Sequence, residues 1–186
     1  MKDRMNIDEY RKFIAGQKTS EANPIKQRIG RNSRAVGSSF EDLIESSCMW
    51  YQEAEKAYIE KTPEPMKILG RAEGPGQFIA CFTKPAQPDY KGTMDGRSIV
   101  FEAKHTDADR ILRDRLSDEQ MDALDRHAKM GADSFVLVSF GLAHFYRVPW
   151  LKWENMKEAY GKLYLRPDDI EEYEVPFTGT VIKFLG

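Results

Sequence analysis

The chain has little of what usually anchors a functional reading. Its 186 residues include two cysteines, Cys48 and Cys81, which are too few and too far apart for a disulfide framework or a zinc pattern. Both are expected as reduced thiols. No apolar run reaches the ~18 residues that a membrane helix needs, and the first residues lack the apolar stretch of a signal peptide. A cytoplasmic protein with no membrane partner is therefore expected. Internal repeats and low-complexity segments are missing too, which leaves one ordinary domain with a proper core. The net charge is only −2.

That small net charge hides an asymmetry. Arg11, Lys12, Lys18, Lys26, Arg28, Arg31 and Arg34 face Glu21 alone, whereas Asp168, Asp169, Glu171, Glu172 and Glu174 cluster near the other end. A basic arm on a neutral body suits a polyanion, because phosphate contacts release counterions. Read on charge alone, the arm is equally a solvated tail. Residues 1–36 read as a flexible basic arm, irregular apart from a short helix around Ile7 to Ile14 and broken by Asn23-Pro24 and Gly30.

The most informative stretch is PDYKGTMDGRSIVFEAK, Pro88 to Lys104. Side chains alternate across a strand, so Glu102 and Lys104 project from one face and Ile99, Phe101 and Ala103 from the other. Asp89, after a proline in a turn setting, can join them if Gly92 to Gly96 folds back as a hairpin. Two carboxylates can bind a hard cation, and the cation with a lysine can stabilise the charge of a phosphate under attack. That is the chemistry of a metal-dependent nuclease. Acid-x-lysine triplets are also common on solvated strands. Here the apolar run around Glu102 places it at the boundary of a core.

Along the chain, Ser38 or Ser39 is expected to cap a helix with Phe40, Leu43, Ile44, Ser47, Cys48, Tyr51, Ala54 and Tyr58 at helical spacing. Glu41 lies in its first turn, as a dipole-favouring carboxylate or an outer acid facing the metal. Thr62-Pro63-Glu64-Pro65 is expected to end that helix. Met66–Leu69 and Phe78–Phe82 read as a hairpin around Gly74-Pro75-Gly76. Ser98–Lys104 is the strand of the triplet, and Ser117 opens a helix that Gly131 ends. Phe135–Phe140 is a buried central strand and His144–Val148 another, before a helix over Trp150–Tyr160. This order argues for an α/β sandwich around one mixed sheet. His105 and His127 read as structural or solvated.

Gly37-Ser-Ser-Phe-Glu41, Thr62-Pro-Glu-Pro65, Asp89-Tyr-Lys-Gly92, Phe101-Glu-Ala-Lys104-His-Thr106 and Leu116-Ser-Asp-Glu-Gln120 resemble, in this order, the blocks of RecU-type Holliday junction resolvases. The resemblance covers roughly residues 30–177. It implies a restriction-endonuclease-like fold of the PD-(D/E)xK superfamily, with a central mixed sheet, flanking helices and a protruding hairpin stalk. It also implies a homodimer that cleaves four-way DNA junctions with Mg²⁺ or Mn²⁺, with recombinase and branch-migration proteins as further partners. By it, Asp89 and Glu102 are metal ligands and Lys104 stabilises the transition state or orients the attacking water.

Gln120 matches a further ligand position, although Ser117-x-x-Gln120 is also a capping box. Gln87 stands where the family usually carries a threonine ligand. The nuclease domain would span 37–186. A stalk inserted at about 61–84, or else an ordinary edge hairpin, would carry Lys67, Arg71 and Lys84 to DNA, with Arg28, Arg31 and Arg34 contributing from the arm. The alternatives in function are a nuclease for other branched or single-stranded DNA, for instance in phage DNA processing, and a catalytically silent DNA-bridging recombination factor.

Overall fold

A computed structural model describes residues 24–72, 74–82 and 87–185, with side chains in the first helix from Ser39 onward. Two compact units are distinguished, residues 35–63 with 86–186, and residues 1–34 with 64–85.

The first helix, α1, runs Pro24–Glu53. It continues through Gly30 and Gly37, where the sequence suggested a break and a later cap. Each interior glycine costs about 1 kcal/mol relative to alanine. Packing further along decides the outcome, since Phe40, Ile44, Ser47, Cys48 and Tyr51 are all buried. The short helix expected around Ile7 to Ile14 lies outside the described residues. At its other end α1 stops sooner than expected. A turn with Glu55 at φ 53° follows, and Tyr58–Lys61 forms strand β1 instead of a last helical turn. Gly92 shows why that strand can exist. A Cβ there would lie 2.3 Å from the Tyr58 carbonyl oxygen and 2.8 Å from the Ile59 Cα, so only glycine lets β1 come alongside.

The smaller unit contains the expected hairpin, β2 (Met66–Arg71) and β3 (Phe78–Phe82), as a two-stranded sheet of its own with a register shift between Ile68 and Gly70. In the larger unit follow β4 (Tyr90–Met94), β5 (Arg97–Thr106), β6 (Ile111–Leu112), helix α2 (Asp118–Lys129), β7 (Asp133–Phe140) and β8 (His144–Pro149). The single helix expected over Trp150–Tyr160 is broken at Asn155 into α3 (Trp150–Glu154) and α4 (Met156–Tyr160), and β9 (Tyr164–Leu165) pairs with β6. The central sheet has the order β1-β4-β5-β7-β8. All its pairs are antiparallel except β5 with β7, which are joined by the crossover through α2. This is the expected α/β class, a mixed sheet flanked by helices.

Each face of the sheet has its own core. On one side α1 meets Tyr90, Ile99, Phe101, Phe135, Leu137 and the C-terminal Ile182, Phe184 and Leu185. Ser47 and Tyr51 hydroxyls accept hydrogen bonds from the Ile182 and Leu185 amides, both at 2.8 Å, which ties the tail to α1. On the other side Val100, Val136 and Val138 meet Leu124 of α2, Trp150, Trp153 and Met156. Both cysteines are free, and burial pushes the Cys48 thiol up to about 12. Among the described residues no helix is long and apolar enough to cross a membrane.

Candidate active site

The turn Asp95-Gly96 closes the β4–β5 hairpin and pairs Tyr90 with Phe101. That register sets Asp89 beside Glu102, and Asp89 Oδ2 accepts a hydrogen bond from the Ala103 amide at 3.0 Å. Beneath them a stack of rings locks three strands together. Tyr90 lies 4.8 Å from Phe101, Phe101 4.8 Å from Phe135, and the Arg147 guanidinium covers Phe135 at 4.3 Å while Asp133 holds it at 2.6 Å. Offset or parallel rings of this kind add directional preference to plain burial.

Above the sheet, Lys104 Nζ is 2.9 Å from Glu102 Oε2 and 3.8 Å from Asp89 Oδ2. One ammonium thus bridges both carboxylates, as the alternation of β5 predicts. Glu102 is fully buried, and its Oε1 has no hydrogen-bond partner. Burial first, and then the charge of Asp89, push its carboxyl up to about 8, against the opposing pull of Lys104.

Gln120 combines the two roles left open by its sequence. The α2 cap is a complete capping box, with the Gln120 amide donating to Ser117 Oγ at 3.3 Å and Gln120 Oε1 accepting from the Ser117 amide at 3.1 Å. Its Nε2 donates to Glu102 Oε2 at 2.6 Å. The side chain therefore reaches the site, but it presents its nitrogen there, while its oxygen is taken by the cap. Gln87 Oε1 accepts from Lys91 Nζ at 2.9 Å and is likewise engaged elsewhere. Glu41 does not join the pair. Its Oε2 is 2.7 Å from Lys61 Nζ, an exposed ion pair between α1 and β1.

Of the expected DNA contacts, Lys67 and Arg71 are exposed on β2. Arg28, Arg31 and Arg34 fall within α1, and their side chains, like all of Lys84, lie outside the described residues. His105, read as structural or solvated, spans Ser139 Oγ and Asp107 Oδ1 at 3.1 Å each. Lys91 was missed by the sequence reading. It stands two residues from Asp89 and so projects from the same face, a signal the alternation rule already contained.

The donor set suits a hard divalent cation. Among the described residues no three acidic, histidine or cysteine side chains gather to hold a metal. Mg²⁺ does not require three, since it commonly takes one or two carboxylates and completes its shell with water and substrate phosphate. The unpaired buried oxygen of Glu102, next to a second carboxylate, is the kind of acceptor such an ion would satisfy.

Comparison with known proteins identifies the family of the chain. The family model "Recombination protein U" matches residues 35–184. The Holliday junction resolvase RecU of Bacillus licheniformis is 26% identical over 171 residues, covering 87% of this chain and 84% of that one. The RecU resolvase of Staphylococcus aureus is 28% identical over 187 residues, covering 92% and 86%. The solved structure of Archaeoglobus fulgidus Hjc, a Holliday junction resolvase, aligns at a TM-score of 0.45 and 17% identity over 73% of this chain and 92% of its own, which adds nothing to the assignment. With its carboxylate hairpin, bridging lysine and capped glutamine all inside the matched span, this chain belongs to the Recombination protein U family.

Proposed function

We propose that the chain is a Holliday junction resolvase, an endonuclease that cleaves four-way DNA by metal-dependent phosphodiester hydrolysis. The observation that carries this reading is the pair Asp89 and Glu102 bridged by Lys104 on the sheet face beneath α2. Family membership over most of the chain supports it.

Asp89 and Glu102 would hold Mg²⁺ or Mn²⁺, and the chemistry such an ion supplies is polarisation of a phosphoryl oxygen and activation of the attacking water. Lys104 places a positive charge where the attacked phosphate gains negative charge. Its short contact with Glu102 holds the ammonium in place before substrate arrives. Gln120 donates to the same Glu102 oxygen as Lys104, so helix and strand together restrain the carboxylate. Neither Gln120 nor Gln87 offers a free oxygen, and either would have to release its present partner to act as a ligand. Glu41 would act at a distance, through the Lys61 ion pair.

Two such sites in a two-fold dimer would nick the two symmetry-related strands of a junction. The hairpin β2–β3, with Lys67 and Arg71 exposed, would serve as the element that enters the junction. Junction shape would then set selectivity, because phosphate contacts carry no sequence information.

The test is purified protein on labelled four-way, forked, duplex and single-stranded DNA, with and without Mg²⁺. Paired nicks in the four-way substrate alone, dependent on the cation, are expected. Preference for forked or single-stranded DNA would assign a different substrate. Binding without turnover would make the chain a bridging factor.

A further inference from the structure

We propose that the small sheet β6–β9, with the turn that leads from it into α2, is a cationic ledge that grips the phosphates of the substrate strand beside the cleaved bond. The proposal rests on the reading of the chain as a junction nuclease and adds a DNA track within the catalytic unit itself.

The ledge shares a face with the site. Ile111 of β6 and Leu165 of β9 are buried in the same cluster as Val100, Val136 and Val138, on the side of the sheet from which Glu102 and Lys104 project. Its chain also begins at the site, because β6 starts five residues after Thr106, the last residue of β5. Arg115 Nη2 donates to the carbonyl oxygen of His105 at 3.4 Å, and His105 is the neighbour of Lys104. A strand whose phosphate reaches Lys104 therefore has this ledge as its continuation.

Three cations converge there on one ring. Arg110 lies 5.2 Å, Lys162 4.8 Å and Arg166 5.8 Å from the centroid of Tyr164. Lys162 and Arg166 are tethered to carboxylates, Asp169 at 2.7 Å and Asp109 at 3.3 Å. Among the described residues neither Arg110 nor Arg115 is in an ion pair, and both are exposed. The difference matters for binding. A guanidinium over an aromatic face is held by the ring's quadrupole, and its N–H groups, which lie in its own plane, stay available to a phosphate. One paired to a carboxylate has already spent them. Asp107 and Asp114 are exposed in the same stretch, so the ledge acts through two placed donors and not through bulk charge.

The experiment uses the full chain, a labelled four-way junction and metal-free buffer, with affinity followed by fluorescence anisotropy from about 50 to about 200 mM salt. R110Q/R115Q is expected to bind about tenfold more weakly and to lower the slope of log affinity against log salt by about two, one for each phosphate that is no longer neutralised. R110Q and R115Q alone should each lower it by about one, which keeps the test open if the double variant misfolds. Y164L should weaken binding by about threefold, and Y164F, which keeps the ring, should restore it. R126Q removes an exposed arginine paired with Asp122 on α2 and should leave the slope unchanged. A wild-type slope in the ledge variants, or an equal loss in R126Q, overturns the proposal. If wild type binds through the ledge yet nicks no four-way DNA with Mg²⁺, the ledge stands and the junction-nuclease reading falls.

Discussion

The two faces of β5 carry opposite chemistry on one backbone. Toward α1 project Ile99 and Phe101, both buried among aromatic rings. Toward α2 project Val100, Glu102 and Lys104, where an acid is buried as completely as Phe101. Ten residues of strand thus serve a core on one side and the candidate active site on the other. The comparison teaches what lets a carboxylate remain in such a place. A buried charge is costly unless it is paired and hydrogen-bonded. Glu102 has an ammonium and an amide on one oxygen and no partner on the other. The apolar face is complete as it stands, whereas the acidic face leaves one buried carboxylate oxygen without a partner.

The largest effect expected from breaking this contrast falls on the acidic face. Glu102→Gln or Asp89→Asn should abolish junction cleavage while leaving junction affinity within a few fold, since affinity comes from distributed phosphate contacts. Cleavage at wild-type rate by either variant, in a gel assay with Mg²⁺, would remove that residue from the site. On the apolar face, Phe101→Ala should lower unfolding free energy by about 3–5 kcal/mol in urea, through reduced burial and a cavity beneath the site. A cost under about 1 kcal/mol would show that the ring stack carries no load. Lys104→Ala should slow cleavage by about 10²–10³-fold, the range for removing one electrostatic stabiliser, and a loss below threefold would make the lysine structural.

Next comes pH. Glu102 holds its proton to about 8 in the metal-free fold, against 4.5 ordinarily. The folded state then binds more protons than the unfolded one between those values. Its stability should be greatest at the acidic end of that window and fall by on the order of a few kcal/mol as pH rises through it. Melting curves of the metal-free protein between these limits should show the decline, and Glu102→Gln or added Mg²⁺ should flatten it. A decline of equal size in Glu102→Gln would assign the titration to another group. The smallest effect belongs to Gln120→Ala, expected to lower the cleavage rate about tenfold and to weaken the α2 cap by about 1 kcal/mol. An unchanged rate would leave Gln120 with the cap alone.

Much of this architecture was legible in residues that act locally. The hairpin turn, the alternation of β5 and the capping box of α2 each depend on neighbours a few positions apart. The misreadings lie where distant partners decide. Tyr58 to Lys61 continues the helical spacing of α1, yet becomes β1 because Gly92 leaves room for a strand beside it. Gly30 read as a break and Ser38 or Ser39 as a cap, yet all three sit inside α1. Glu41 read as a dipole-favouring carboxylate or an outer acid facing the metal, and its partner Lys61 stands on the strand that was missed. Lys162 and Arg166 flank Tyr164 at two-residue spacing, but the third cation on that ring, Arg110, comes from a segment more than fifty residues away.

By itself, then, the sequence determined that Glu102 and Lys104 share a face, because side-chain alternation is a property of the extended backbone. It also determined where α2 begins, because Ser117 and Gln120 complete the cap between themselves. Tertiary structure alone decided that Asp89 meets Glu102, because a shift of one residue in the β4–β5 register would send the aspartate to the opposite face. It alone brought the Gln120 nitrogen to Glu102, because helix and strand approach each other only after the parallel crossover to β7 has closed the layer over the sheet.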